Sequence, residues 1–168
     1  MEYILFYRLQ HYSAHLNLLY YNNLSLGTIM DLITVNKHKE YKMNKRIFLV
    51  DDDPFWTEIL KQILTDLGYS NIHTFSNGTE CINNLHLNPS LIFLDYQMDD
   101  MNGIEVLKKI KSYYPGIGVI FCTGYEDLSI AVDAMEHGSF DYLLKGNATI
   151  KEVSNLVEKV NNNLTTIV

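Results

Sequence analysis

This chain has few cysteines and carries a negative net charge. Among 168 residues there are two cysteines, Cys81 and Cys122, too few and too far apart for a metal cluster or a disulfide framework. Cys122 lies within an apolar run, which favours a buried free thiol. The formal net charge is -7. Because a nucleic-acid-binding face must be basic to displace counterions from phosphates, direct DNA binding is not expected.

Long apolar runs are absent as well. No stretch reaches the roughly 20 residues of a membrane-spanning helix, and the first residues lack the basic, apolar and small-residue segments of a secretory signal. We therefore expect a cytoplasmic protein without membrane contact. The length allows one domain with an appendage, and the apolar content of 47% fits a globular protein.

From residue 45 onward, strand and helix patterns alternate five times. The first helix is predicted to begin at the N-cap Asp53 and to end at Gly68, and capping boxes open the second helix at Asn77 and the fifth at Thr149. The predicted strands are residues 47–50, 71–75, 91–94, 118–122 and 141–144. Helices three and four are predicted over about 103–113 and 126–137. Repeated strand–helix units predict an α/β fold, a flavodoxin-like doubly wound five-stranded parallel sheet with five crossover helices.

The first helix also carries an apolar stripe at helical spacing. Trp56 is predicted to be a packing residue on the first turn. The predicted stripe consists of Phe55, Ile59, Leu60, Ile63, Leu64 and Leu67.

Polar residues follow four of the predicted strands. The carboxyl ends of parallel strands meet at one edge of a sheet, so these residues converge in space. They are Asp51, Asp52 and Asp53 after the first strand, Asp95 after the third, Thr123 after the fourth and Lys145 after the fifth.

This set of side chains predicts a phosphoryl-transfer site. Clustered carboxylates repel one another unless a divalent cation neutralises them, and Mg²⁺ takes one or two carboxylates together with waters and phosphate oxygens. One aspartate can then act as a nucleophile, while a hydroxyl and an ammonium hold the oxygens of the arriving group.

The first 42 residues differ in character from the rest. They are rich in Tyr, Leu, Asn and His, and they end in a polar run over residues 36–42. We expect residues 1–42 to be an N-terminal extension, either a loosely packed helix or sequence upstream of a true start at Met43. His11 and His15 have i, i+4 spacing that can bind metal, but without a third ligand a solvated helix face is the better interpretation.

Four segments in order carry a family resemblance: residues 49–54, 94–103, 123–124 and 138–145. Together they resemble the receiver domain of two-component response regulators, over about residues 45–163. By this resemblance, residues 43–168 would be a receiver domain that acts as a switch and not as an enzyme. Its phosphate would come from a sensor histidine kinase or a phosphotransfer protein.

The resemblance also implies roles for the residues of the site. Asp95 would be the phosphoacceptor. Asp52 would bind Mg²⁺ directly, Asp51 through water and Asp95 through its other oxygen, and the backbone carbonyl of Gln97 would complete the protein ligands.

Three further residues would respond to the phosphoryl group. Lys145 would pair with its oxygens, the Thr123 hydroxyl would swing in to bond one of them, and Tyr142 would be the switch aromatic that follows Thr123. The readout face would be built by helix four, strand five and helix five. Since the chain ends after helix five, we expect it to act by contact on a downstream protein.

Four positions qualify this resemblance. Asp99 and Gly146 stand where the family usually has prolines, so we expect a more mobile loop after Asp95 and a trans or locally strained bond after Lys145. Gln97 and Tyr125 border the path of hydrolytic water. A bulky Tyr125 is predicted to shield the acyl phosphate and lengthen its lifetime.

Other functions fit parts of the pattern. A phosphohydrolase resembling the haloacid dehalogenase superfamily would use Asp51 as nucleophile and Asp53 beside it, but it leaves Asp95 unexplained. A degenerate receiver would act only as a docking module. A flavin-binding protein of the same fold would need a phosphate loop after the first strand, where Asp51, Asp52 and Asp53 stand instead.

Overall fold

The computed structural model describes residues 30–31, 34–37, 42–124 and 128–165. The chain divides into two compact units, Met1–Tyr41 and Lys42–Val168. In the first unit the described residues are helical, and the Thr34 hydroxyl donates a hydrogen bond to the Met30 carbonyl. His11, His15 and most of the predicted extension lie outside the described residues. Within the described ranges, no helix has the length and apolar character needed to cross a membrane.

The second unit is built on a parallel sheet. Its strand order is β2-β1-β3-β4-β5, and all neighbouring strands pair in parallel. The strands are β1 (Ile47–Val50), β2 (Ile72–Phe75), β3 (Leu91–Asp95), β4 (Gly118–Thr123) and β5 (Asp141–Leu144). The predicted flavodoxin-like doubly wound sheet is confirmed.

Helices follow the strands and cover both faces of the sheet. They are α1 (Pro54–Asp66), α2 (Gly78–Asn84) with a 3-10 turn at Leu85–Leu87, α3 (Gly103–Tyr113), α4 (Leu128–Glu136) and α5 (Ile150–Thr165), with a further 3-10 turn at Lys145–Asn147. Successive strand residues point to opposite faces. Ile47 and Leu49 therefore pack with α1 and α5, whereas Phe48 and Val50 pack with α2, α3 and α4.

The ends of α1 match the prediction, and its buried stripe matches it except at Phe55. Asp53 Oδ1 accepts hydrogen bonds from the amides of Phe55 and Trp56, and Gly68 ends the helix with φ +91°. The prediction that Phe55 belongs to the stripe is wrong, because Phe55 is 74% exposed and Trp56 only 8% exposed. Leu60, Ile63 and Leu64 of the predicted stripe are buried and Ile59 and Leu67 are partly buried, while Trp56 takes the buried first-turn position in place of Phe55.

Other boundaries differ by a residue or two. β2 begins at Ile72, and Asp95 and Thr123 are the last residues of β3 and β4 instead of following them. The backbone at both residues is therefore fixed by sheet pairing. The predicted start of the fourth helix lies outside the described residues.

Candidate functional site

Three aspartates and a lysine meet at the carboxyl edge of the sheet. Asp51 directly follows β1, and Asp95 ends β3, the neighbouring strand. The Lys145 ammonium, just after β5, lies 2.6 Å from Asp51 Oδ2 and 2.8 Å from Asp95 Oδ1. One carboxylate oxygen from each of Asp51, Asp52 and Asp95 lies within 4.8 Å of the others. The predicted convergence of these four residues is present in the structure.

Two of the three clustered aspartates are buried, and the third is exposed to solvent. Asp51 is 6% exposed and Asp95 4% exposed, whereas Asp52 is exposed to solvent. Thr123 is buried at the end of β4, where it lies beside Leu144 in the sheet register. A ligand can therefore reach the buried carboxylates from the side of Asp52.

Burial dominates the electrostatics of this site. It raises the pKa of Asp95 to about 6, with the Asp51 charge acting in the same direction and Lys145 opposing it. Burial also raises the pKa of Asp51. Burial acts to lower the pKa of Lys145, but its bonds to Asp51 and Asp95 outweigh this, so that pKa is raised. The lysine therefore remains a cation between two carboxylates that are costly to ionise.

These carboxylates fit a magnesium ion. Three oxygens from different residues lie close enough together to share one cation, and hard oxygen donors are the ligands that Mg²⁺ prefers. Asp51 Oδ2 is buried and, apart from its ion pair with Lys145, has no well-aligned hydrogen bond among the described residues. It therefore retains lone-pair capacity for a cation or a metal-bound water.

Lys145 is held by an aromatic ring as well as by the carboxylates. Its ammonium lies 5.8 Å from the centroid of the Trp56 ring. The peptide bond between Lys145 and Gly146 is trans, as predicted. The sequence placed Trp56 in the packing of α1, but no sequence signal pointed to its contact with Lys145, which only the tertiary fold creates.

The remaining predicted site residues are Gln97, Tyr142 and Tyr125. Gln97 is exposed in the loop that follows Asp95, and Tyr142 on β5 is 40% exposed. Tyr125 lies outside the described residues. The roles assigned to Thr123, Tyr142, Gln97 and Tyr125 stay predictions.

The loop over residues 96–102 is closed at its base by backbone contacts. The Gly103 amide donates a hydrogen bond to the Tyr96 carbonyl at 2.8 Å. A Cβ atom on Gly103 would lie 2.1 Å from the Asp95 carbonyl oxygen, so only glycine fits there. The start of α3 is thus packed directly against the backbone that carries Asp95.

A doubly wound parallel sheet with an acidic cluster and a lysine at its carboxyl edge defines a receiver-type domain. The chain belongs to the response regulator receiver domain family, whose sequence model matches residues 47–158. The chemotaxis protein CheY of Thermotoga maritima is 32% identical over 104 residues, covering 61% of this chain and 87% of that protein.

Solved structures agree with this family. A receiver domain protein from Clostridium thermocellum superposes with a TM-score of 0.68 at 28% identity, covering 74% of this chain and 99% of that one. A CheX–CheY–BeF3–Mg complex from Borrelia burgdorferi gives a TM-score of 0.64 at 26% identity, covering 69% and 88%. The chain spans only 24% of a larger matched regulator, NtrC of Escherichia coli.

The raised pKa of Asp95 predicts a pH-dependent stability for the metal-free protein. Folded Asp95 keeps its proton up to about pH 6, whereas an unperturbed aspartate loses it near 3.8. Between these values the folded state binds more protons, so the free energy of unfolding falls as the pH rises. Asp95→Asn removes this titration. In a chelator, the variant should be more stable than wild type by about 1–2 kcal/mol at pH 7, after allowance for solvent screening.

Urea unfolding at pH 4 and pH 7 measures this difference, which should nearly vanish at the lower pH. Asp99→Asn, at an exposed position in the following loop, controls for the loss of one negative charge. An Asp95→Asn advantage of equal size at both pH values would contradict the prediction.

Proposed function

We propose that this chain is a phosphoryl-accepting switch of a two-component pathway, with Asp95 as the acceptor and Mg²⁺ as the required ion. The observation that carries the proposal is the contact of Lys145 with both Asp51 and Asp95 inside a cluster of three carboxylates. Asp95 ends a central strand and is nearly buried, so its carboxylate is held at a fixed position. Family membership supports the same function.

The chain's own residues account for the transfer. An Asp95 oxygen forms a bond to phosphorus while the P–N bond of a phosphohistidine breaks and the imidazole departs with its electron pair. Lys145 pairs with the phosphoryl oxygens, and the Thr123 hydroxyl donates to one of them. Asp51, Asp52, Asp95 and the Gln97 carbonyl would hold Mg²⁺. When bound, the ion neutralises the carboxylates and the phosphoryl oxygens.

The switch would be read by another protein. Phosphorylation adds charge and acceptor oxygens at Asp95, which draws Thr123 inward and allows Tyr142 to follow. Tyr142 lies on β5 beside α4, where Val132 is 50% and Met135 48% exposed. We place the readout on the face of α4, β5 and α5. The donor is a histidine kinase or a phosphotransfer protein in the cytoplasm.

The contacts of Asp51 and Asp53 argue against the phosphohydrolase alternative. Asp51 Oδ1 accepts the Asp53 amide at 3.0 Å, so one oxygen of that nucleophile is already hydrogen-bonded. Asp53 caps α1 through its side chain and is not available as an acid beside Asp51.

Phosphorylation with a small acyl phosphate donor tests the proposed function. With Mg²⁺, we expect one phosphoryl group on Asp95, located by peptide mass spectrometry, and none in Asp95→Asn or in a chelator. Modification of Asp51 would support the phosphohydrolase instead. No incorporation into the wild-type chain would leave the docking module as the better function.

The Mg²⁺ site can be followed through the single tryptophan. Because Trp56 lies against the Lys145 ammonium, a cation that shifts Lys145 should change its fluorescence. Asp52→Asn removes the exposed carboxylate and should weaken Mg²⁺ binding by at least about tenfold.

Asp53→Asn is the matched control for Asp52→Asn, since it removes the neighbouring charge while asparagine still caps α1. Equal losses of Mg²⁺ affinity in the two variants would indicate a general charge effect and not a ligand at Asp52.

A further inference from the structure

We propose that Asp100 is a positioning residue that ties the loop after Asp95 to the start of α2 and so positions the Gln97 carbonyl, the backbone ligand proposed for Mg²⁺. This inference rests on the proposed function, because it concerns a ligand of the proposed cation site. Asp100 has no part in the contacts among Asp51, Asp95 and Lys145 described above, and its effect would pass through the backbone of the loop.

The tie consists of two long-range hydrogen bonds. The Gly78 amide donates to Asp100 Oδ1 at 3.1 Å, and the Thr79 amide donates to Asp100 Oδ2 at 2.9 Å. The partners are 22 and 21 positions apart in sequence. The two oxygens of the Asp100 carboxylate therefore accept hydrogen bonds from two consecutive amides of α2.

Asp100 completes the capping of α2. The first amides of a helix have no partner within the helix. The Glu80 amide bonds to the Asn77 side chain at 2.8 Å and the Cys81 amide to the Asn77 carbonyl at 3.3 Å. The amides of Gly78 and Thr79 are the two that Asp100 satisfies. Asn77, just before α2, and Asp100, in the loop, therefore each cap part of the N-terminus of α2.

The negative charge of Asp100 is favourable at the start of α2. A helix N-terminus favours a negative group. Burial acts to raise the pKa of Asp100, but the hydrogen bonds from Thr79, Gly78 and Met101 outweigh it and lower that pKa. The carboxylate is therefore ionised at neutral pH and its bonds to the amides are charge-assisted.

Among the described residues, the loop is otherwise held at its base and on its inner side. The prolines of the chain are Pro54, Pro89 and Pro115, so none stiffens residues 96–102. Its base is closed by the bond from Gly103 to Tyr96, and its inner side rests on Met98 and Met101, which are partly buried in the core.

Gln97 is exposed and lies three residues before Asp100 in this loop. Gly78 also lies close to side chains of the loop. A Cβ atom there would lie 3.6 Å from Met101 Cβ and 3.7 Å from Met98 Cε. Releasing Asp100 would therefore loosen the segment that presents the Gln97 carbonyl.

A cap that only stabilises α2 would produce some of the same effects, so the test compares two caps. Asp100→Ala removes the cap that comes from the loop, and Asn77→Ala removes the cap that comes from the segment next to α2. Both variants of the full chain should lose stability in urea. Only Asp100→Ala should weaken Mg²⁺ binding, by about tenfold in a Trp56 fluorescence titration, and speed hydrogen exchange of the loop amides. Asp100→Asn, which keeps an acceptor oxygen, should restore part of both.

The outcomes separate the two proposals. Mg²⁺ affinity and loop exchange in Asp100→Ala that equal those of Asn77→Ala would overturn the positioning role and leave the proposed function intact. A wild-type chain that neither binds Mg²⁺ nor accepts phosphate would overturn the proposed function and the positioning role with it, even if the loop exchanges faster in Asp100→Ala.

Discussion

Lys145→Met is expected to destabilise the metal-free protein by about 2–3 kcal/mol at pH 7 and to make its stability strongly dependent on Mg²⁺. Removing one partner of a fully buried ion pair costs about 3–5 kcal/mol, because the other charge stays buried without compensation. Here the lysine side chain is 19% exposed, so the cost is smaller. Two carboxylates, Asp51 and Asp95, lose their counter-charge at once.

Two conditions should restore the stability of Lys145→Met. Mg²⁺ would replace the missing positive charge, and a fall from pH 7 to pH 5 would let Asp95, whose pKa is already about 6, take up a proton. Phosphoryl uptake should stay impaired even with Mg²⁺, since methionine cannot pair with the phosphoryl oxygens. Urea unfolding in a chelator and in Mg²⁺, followed by labelling with a small phosphodonor, measures both effects.

Lys159→Met is the matched control for this variant. Lys159 pairs with Asp141 at 2.9 Å, a similar distance, but its side chain is 61% exposed. Solvent screens an ion pair this exposed, so this variant should be nearly neutral and insensitive to Mg²⁺. Equal losses in the two variants, or a Lys145→Met loss that Mg²⁺ does not reduce, would show that the lysine does not compensate the carboxylate cluster.

The fold and the centre of the site could be predicted from sequence because both follow from the spacing of apolar and polar residues along the chain. Apolar runs with polar residues at their ends define parallel strands, and the edge of such a sheet brings Asp51, Asp95 and Lys145 together without further information. Helix caps at Asp53 and Thr149 are local signals, and the structure has both, with the Glu152 amide bonded to the Thr149 hydroxyl.

Features that depend on packing between elements could not be predicted from the sequence. Phe55 and Trp56 are both large and apolar, and helical spacing alone did not decide which of them faces the core. In the fold, Trp56 is buried against Lys145 and Phe55 is exposed. Asp100 was likewise one acidic residue of a polar loop, since its partners at Gly78 and Thr79 are more than 20 positions away. Predicting such a bond requires the distance between the loop and α2.

Gly103→Ala is expected to be among the most damaging small substitutions in the chain, with a cost of about 3 kcal/mol or more. The added Cβ would lie 2.1 Å from the Asp95 carbonyl oxygen and 3.0 Å from the Asp95 carbonyl carbon and Tyr96 Cα. These are backbone atoms and cannot rotate away as a side chain could. Overpacking a tight site costs about 1–3 kcal/mol and sometimes more, and the upper end applies where the neighbour is rigid.

The neighbour is rigid here because the end of β3 is fixed in the sheet. Asp95 pairs with Cys122 in the register of β4, and the Tyr96 amide donates to the Cys122 carbonyl at 3.0 Å. Either α3 moves outward or the segment carrying Asp95 shifts. In both cases the Gly103 to Tyr96 bond lengthens and the loop with Gln97 moves, so Mg²⁺ affinity and the phosphorylation rate should fall along with stability.

Gly116→Ala separates this steric effect from the general loss of glycine. Gly116 lies in the turn before β4, and a Cβ atom there would meet nothing within 4 Å. Its replacement should change the free energy of unfolding by less than about 1 kcal/mol and leave labelling of Asp95 unchanged. Urea unfolding measures the first effect and the initial rate of phosphoryl uptake the second. If Gly103→Ala were as stable and as reactive as Gly116→Ala, the start of α3 could not be what fixes the position of Asp95, and the rigidity of the acceptor would have to come from the sheet alone.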